Sequence, residues 1–283
     1  MEQSVQRSSI ESLATLMRGR RTLVLSGAGI RTESGIPDYR GPDGVRRARR
    51  PMQYREFVGS EEARRRYWSR SAVGWSRLSQ ARPNAGHAAL ARLEAAGAVS
   101  GVITQNVDEL HQAAGSQRVL ELHGTLAAVR CLACGRAETR AHFRDRLLGE
   151  NPGWSPARDA AAPTAPDGDA ELAAGEAALR SIPACIHCGG VMKPDVVFFG
   201  ENVPARRAQE AWSMLSDAEA LLVVGSSLAV FSAFRFVERA ARDGKPVAIV
   251  NQGLTRGDDL AAVRIEGRLG EVLPRLADSL AVL

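Results

Sequence analysis

The stretch Thr22-Leu23-Val24-Leu25-Ser26-Gly27-Ala28-Gly29-Ile30 decides the fold. A short apolar run suits a buried strand, and it leads directly into a Gly-x-Gly turn. Glycines there let backbone N–H groups approach a pyrophosphate closely. Taken alone the turn is a weak signal, because an ordinary tight turn reads the same. The third glycine of the usual dinucleotide fingerprint is absent, since position 32 is Thr.

Working outward, the segment 9–18 predicts a short amphipathic helix with Ile10, Leu13, Leu16 and Met17 on one face. Helical patterns follow over 56–80 and 84–96, then strands over 99–104 and 119–122, with a turn and helix over 106–114 between them. Residues 220–224 and 247–250 read as strands, and 231–242 and 269–280 as helices. Apolar strands alternating with helices imply an α/β fold: a Rossmann-like, doubly wound parallel sheet. The texture changes between 126 and 195, which predicts a small zinc-binding domain inserted into the first. The expected division is 1–125 with 196–283 for the Rossmann part and 126–195 for the insert, with a helical cofactor-loop segment at about 42–80. Residues 151–170, rich in Pro, Ala, Gly and Asp, read as a surface loop.

The 283 residues are 45% apolar and 24% charged, which excludes a mainly disordered chain and a disulfide-rich miniprotein. No apolar run approaches the roughly 20 residues that span a bilayer. The start of the chain lacks a secretory pattern, so a cytoplasmic protein without membrane partners is expected. The net charge of +5 is mild and almost entirely arginine, with Lys193 and Lys245 the two lysines. The basic run 46–50 reads as a solvated loop, and acidic residues outnumber basic ones over 158–180. Specific nucleic-acid binding is therefore not expected.

Six further clusters carry chemistry. Gln105, Asn106 and Asp108 follow the 99–104 strand, where open α/β sheets bind ligands; turn and cap formation is the competing reading. His123 ends another strand, and an imidazole there can serve as a general base. Cys131-x2-Cys134 and Cys185-x2-Cys188 supply four thiolates for tetrahedral Zn²⁺. Four sulfurs leave no open position, so this metal is structural. The segment 193–201 ends in Val197-Phe198-Phe199-Gly200, which can pair with an extended peptide or lie buried as a strand. Gly225-Ser226-Ser227 and Asn251-Gln252-Gly253 follow strands and suit an adenosine site.

Together GAGIRTESGIPDYRG (27–41), TQNVDELH (104–111), LHG (122–124), the paired CxxC, KPDVVFFGE (193–201), VVGSSLAV (223–230) and NQG (251–253) resemble the sirtuin (Sir2) family of NAD-dependent protein deacylases. The pieces occur in the family's order over nearly the whole chain. ARRRYWSRSAVGW (63–75), LGENPGWSPARD (148–159) and APDGD (165–169) look like the class II branch, which includes a mitochondrial lipoamidase and ADP-ribosyltransferase. The resemblance implies NAD as a consumed co-substrate, one structural Zn²⁺, and acylated-lysine proteins or peptides as partners. It implies catalytic roles for His123, Asn106 and Asp108. The cofactor set it implies is Gly27, Ala28, Gly29, Thr32, Asp38, Tyr39, Arg40, Gln105, Gly225, Ser226, Ser227, Asn251, Gln252, Gly253 and Leu269, with Asn106 and Asp108 shared. Peptide would lie on Val197 to Gly200. Acyl transfer from lysine to ADP-ribose releases nicotinamide, and His123 takes a ribose proton. A mono-ADP-ribosyltransferase on the same scaffold is the alternative.

Two positions qualify the resemblance. Arg31 stands where the family usually has Ser, and is expected to crowd the pocket or to pair with a phosphate or an acidic acyl group. Tyr67-x-x-Arg70 resembles the pair that grips an acyl carboxylate, although the two can equally be surface neighbours on one helix.

Overall fold

A computed structural model describes residues 9–39, 51–156, 165–170 and 179–281. The strands are β1 (Thr22–Ser26), β2 (Val99–Thr104), β3 (Val119–Glu121), β4 (Gly124–Cys131), β5 (Ala137–Thr139), β6 (Met192–Val196), β7 (Ala220–Val224), β8 (Val247–Asn251) and β9 (Val263–Glu266). The helices are α1 (Ile10–Met17), α2 (Tyr54–Gly59), α3 (Glu61–Leu78), α4 (Ala85–Ala95), α5 (Leu110–Ala113), α6 (Arg140–Gly149), α7 (Ala205–Asp217), α8 (Phe231–Arg242) and α9 (Leu269–Ala281).

Six strands form a parallel sheet in the order β3-β2-β1-β7-β8-β9. The chain winds outward from β1 in one direction and from β7 in the other. The switch point between β1 and β7 is where such sheets bind ligands. Strand alternation builds both faces. Val24, Leu222, Val224 and Val250 meet α1, α4 and α9 in one core. Leu23, Leu25, Leu221, Val223 and Ile249 meet α7 and α8 in another. This is the doubly wound arrangement the apolar runs imply. The two lysines of the chain are both engaged within the fold. Lys193 is buried beside Glu201, and Lys245 donates to the carbonyls of Leu215, Ser216 and Ala218 at 2.6, 2.8 and 2.6 Å.

A second sheet, β5-β4-β6, is antiparallel and joins the first through His123, the residue before β4. Its core contains Phe57, Tyr67, Trp68, Val129, Phe143 and Phe198. Trp68 is completely buried, and the Arg140 guanidinium stacks 4.8 Å from its ring centroid. Gly124 takes φ +82°, and a Cβ there would collide with the Asp195 carbonyl. Only glycine lets β6 run this close to the start of β4.

The structure refines several expectations. The turn and helix expected over 106–114 resolve into a turn followed by the short helix Leu110–Ala113. The helix starts there because Asp108 Oδ1 accepts from Leu110 N at 3.1 Å and Glu109 takes a left-handed φ of 61°. The surface reading of 151–170 fails at its end, where Ala165, Asp169 and Ala170 are buried against α3. Gly74 on α3 makes this possible, because a Cβ there would strike the Gly168 carbonyl. Strands β4, β5 and β9 and helices α6 and α7 add to the elements expected from sequence. The segment expected to be helical from about 42 to 80 contains α2 and α3, while residues 40–50, with the basic run and Arg40, lie outside the described part. Among the described residues no helix is long and apolar enough to cross a membrane.

Trp68→Ala should lower stability by about 3–5 kcal/mol, the usual cost of emptying a large aromatic site. Urea unfolding followed by circular dichroism would measure it.

Candidate active site and metal centre

The loops after β1 and β7 meet at the switch point. Gly29 N donates to Gly225 O at 2.8 Å, and Gly27 N donates to Val224 O at 3.0 Å. A Cβ on Gly29 would lie 2.8 Å from Gly225 Cα, and one on Gly225 would lie 2.5 Å from Ile30 N. The glycines therefore pack loop against loop. The chain leaves Gly27 into a 3-10 turn, Ala28–Ser34, and Asn84 Nδ2 holds that turn at the Ile30 carbonyl, 2.7 Å away.

The loop after β2 is stitched to both. Asn106 Nδ2 donates to Gly27 O at 3.0 Å, and Gln105 Nε2 donates to Ser226 Oγ at 2.8 Å. Together these loops open onto a cavity of about 860 Å³. Ala28, Gly29, Asp38, Tyr39, Gln105, Asn106 and His123 line it. So do Val197, Phe198, Phe199, Gly200, Gly225, Ser226, Ser227, Asn251 and Gln252, and Tyr67 reaches its wall.

Other expected residues lie elsewhere. Gly27 is packed under Ser226, and Thr32 Oγ1 donates to Gly29 O at 3.0 Å. Leu269 is a core residue whose side chain supports Gly225 from behind. The Gly253 carbonyl accepts from Asn251 Nδ2 at 3.0 Å and from Arg264 Nη2 at 2.6 Å. Asp108 is buried against Arg31, so Arg31 pairs with protein rather than standing free for a phosphate or an acyl group. Tyr67 and Arg70 are not surface neighbours. Arg70 Nε donates to Ala170 O at 3.1 Å and Nη2 faces Asp169 at 3.8 Å, which places Arg70 outside the cavity wall.

His123 is the titratable group best placed for chemistry. The Gln105 carbonyl lies 3.2 Å from Nδ1, so Nδ1 carries the proton and Nε2 presents a lone pair. Ser232, at the start of α8, lies 2.9 Å from that Nε2. Removal from water lowers the imidazole pKa to about 4, and the nearby cations Arg207 and Arg235 push the same way. At neutral pH the ring is uncharged and can accept a proton. A serine after a phenylalanine carries no motif, so Ser232 has no signal in the sequence and meets His123 only through the fold.

The extended segment after β6 is held from several sides. Val197 N donates to His123 O at 2.8 Å, and Tyr54 N donates to Phe199 O at 2.9 Å. Glu201 accepts from Phe198 N at 2.8 Å and pairs with Lys193 at 3.1 Å.

Away from the cavity, the four cysteine sulfurs lie within 4.8 Å of one another. Cys131–Cys188 and Cys134–Cys185 sulfur distances are 3.5 and 3.7 Å. A tetrahedron with Zn–S bonds of about 2.3 Å has edges of about 3.8 Å, so the set fits zinc. The turns are built for it. Gly135 and Gly189 take φ +73° and +71°, and a Cβ on Gly190 would lie 2.9 Å from Cys131 Sγ. The Cys134 N–H aimed at Cys131 Sγ pulls that thiol down to about 6, toward the thiolate a metal needs.

Comparison with known proteins agrees with this geometry. The Sir2 family model matches residues 27–232. An NAD-dependent protein deacetylase of Streptomyces coelicolor is 51% identical over 275 residues, covering 97% of this chain and 91% of that one. An NAD-dependent protein deacetylase of Xanthomonas campestris pv. campestris is 52% identical over 256 residues, covering 90% and 86%. A solved Sir2 structure with a p53 peptide and NAD+ superposes with a TM-score of 0.77 at 31% identity, covering 97% and 100%.

Metal analysis should find about one zinc per chain, lost in Cys131→Ser, and a chelator should lower the thermal midpoint. Acid should weaken the fold through its buried histidines, His87 and His111 as well as His123. Burial lowers His87 to about 4 and His111 to about 3. The unfolded chain binds more protons below about pH 6.5, so stability is complete above that value and falls as pH drops toward 4. The cost is about 1.4 kcal/mol per pH unit for each histidine. Urea midpoints between pH 7.5 and 5 should fall less steeply in His87→Gln and His111→Gln than in the parent.

Proposed function

The chain belongs to the Sir2 family, and on that premise we propose a division of labour among its residues for NAD-dependent protein deacetylation. The chain is an enzyme of the sirtuin type: acetyl passes from lysine to ADP-ribose, and nicotinamide leaves. The observation that carries the assignment of roles is the neutral His123, its Nε2 lone pair directed at the cavity wall.

NAD enters as co-substrate. Gly225, Ser226, Asn251 and Gln252 hold its adenosine half, and Ala28, Gly29, Asp38 and Tyr39 the phosphates and nearer ribose. Asn106 and Gln105 orient the ribose that reacts. His123 Nε2 takes a proton from a ribose hydroxyl that replaces Ser232 as its partner. The acyl-lysine peptide lies along Val197–Gly200, which the Lys193–Glu201 pair keeps extended. Zinc, closed by four thiolates, holds β4 and β6 and takes no part in the reaction. The expected division into 1–125 with 196–283 and 126–195 follows these roles, the first carrying NAD and the second the metal.

The acyl chain is neutral in this reading. Arg70, the candidate grip for an acyl carboxylate, is bound to the insert. On the cavity wall that Tyr67 shares with Asp167 and Arg31, Asp167 repels an acidic chain, and Arg31 is already paired with Asp108. The class II motifs favour acyl groups longer than acetyl, lipoyl among them.

Purified protein with NAD should deacylate acetyl-lysine peptides, with acetyl-ADP-ribose as product by mass spectrometry. His123→Ala should cut the rate by about 10²–10⁴-fold. Succinyl and glutaryl peptides should react at least about tenfold less efficiently than acetyl, equivalent to about 1.4 kcal/mol. Protein-linked ADP-ribose with every acyl peptide untouched would favour the transferase reading instead.

A further inference from the structure

One wall of the cavity carries a side chain that this chemistry does not use. Arg31 leaves the 3-10 turn after β1 with 2% of its side chain exposed, and Asp108 beside it is equally buried at 2%. Arg31 Nη1 lies 3.3 Å from Asp108 Oδ2. Its Nη2 donates to the Pro166 carbonyl, in the stretch far along the chain that packs on α3. Arg31 Nε has no partner among the described residues. Arg31, Pro166, Asp167 and Tyr67 all line the cavity.

The segment 165–170 is anchored elsewhere too. Ala170 N donates to Arg70 O at 3.0 Å, and Asp169 faces the Arg70 guanidinium. Gly168 sits against Leu126 and Leu78, and its carbonyl occupies the space left by Gly74. These contacts secure the end near Ala170. At the cavity end the anchor is Arg31.

We propose that Arg31 is a positioning and specificity-determining residue. It clamps Asp108 to the segment 165–170 and so turns Pro166 and Asp167 into a fixed wall at the acyl end of the cleft. A planar guanidinium with five donors can hold a carboxylate on one edge and a carbonyl on another. Lysine has the charge without the fork, and serine has neither the charge nor the reach. Both charges are buried, so loss of the cation leaves Asp108 uncompensated and the segment released on that side. What the wall selects rests on the deacylase reading; the clamp itself does not.

The test uses Arg31→Ser, Arg31→Lys and Gly74→Ala in the full chain. Hydrogen exchange is followed without ligand at the amides of Ala165, Gly168 and Ala170, which the segment bonds internally or to Arg70. Activity is followed with NAD on acetyl- and octanoyl-lysine peptides. Arg31→Ser should speed exchange at these amides at least tenfold while the central sheet stays unchanged. It should raise the octanoyl-to-acetyl ratio of kcat/KM at least fivefold and raise KM for NAD. Arg31→Lys should fall between it and the parent. Gly74→Ala displaces the segment from the opposite side and should raise the octanoyl ratio without changing KM for NAD.

Parental exchange at 165–170 in Arg31→Ser would overturn the clamp. Faster exchange with an unchanged octanoyl ratio would overturn the wall. If Arg31→Ser does not fold, parental exchange in Arg31→Lys overturns the clamp in its place. A parent that exchanges as expected but deacylates neither peptide would refute the deacylase reading and leave the clamp standing.

Discussion

The contact between the Gly29 and Gly225 backbones governs the site. The loops after β1 and β7 approach so closely that neither position has room for a methyl group. Each loop ends a strand at the switch point, so their contact sets the floor of the cavity. Gln105 then ties Ser226 to the β2 loop by its side chain and holds His123 by its carbonyl. One path of hydrogen bonds thus runs from the Ser226 loop to the proposed base. A cleft preorganised in this way needs little rearrangement when ligand arrives.

The central sheet was legible because its strands are buried on both faces. Leu23-Val24-Leu25 and Leu221-Leu222-Val223 have no polar side to confuse the pattern, and glycine turns mark their ends. The cysteine pairs were legible because metal chemistry requires their spacing. Strand β4 was not, because its burial follows no regular alternation. The segment 165–170 misled for a related reason. Its Pro, Asp and Gly suit an exposed turn, and what buries them is a cavity cut by Gly74, almost a hundred residues earlier. Leu269 shows the limit of reading a site by motif alone: it is a core residue that supports the loop after β7 from behind, at Gly225.

Several buried charges serve as joints between parts that are distant in sequence. Arg31–Asp108, Arg70–Asp169 and Lys193–Glu201 each pin a loop at the cleft. Such pairs add little net stability over apolar packing, but an unpaired member is costly, so each fixes one arrangement of its loop. Burial also raises Asp169 well above the usual carboxylate range, with Asp167 next to it adding to the effect. Asp169 lies between the Arg70 and Arg140 cations, and this ties the docked segment to the aromatic core around Trp68.

The two lysines have a meaning beyond their place in the fold. Lys193 is buried, and its ammonium donates to the Pro194 and Val196 carbonyls and to Glu201. Lys245 gives all three of its hydrogens to backbone carbonyls. Every other cationic side chain is arginine, apart from histidine, and a guanidinium is a poor nucleophile toward thioesters and anhydrides. The molecule therefore offers reactive acyl donors almost no amine to attack.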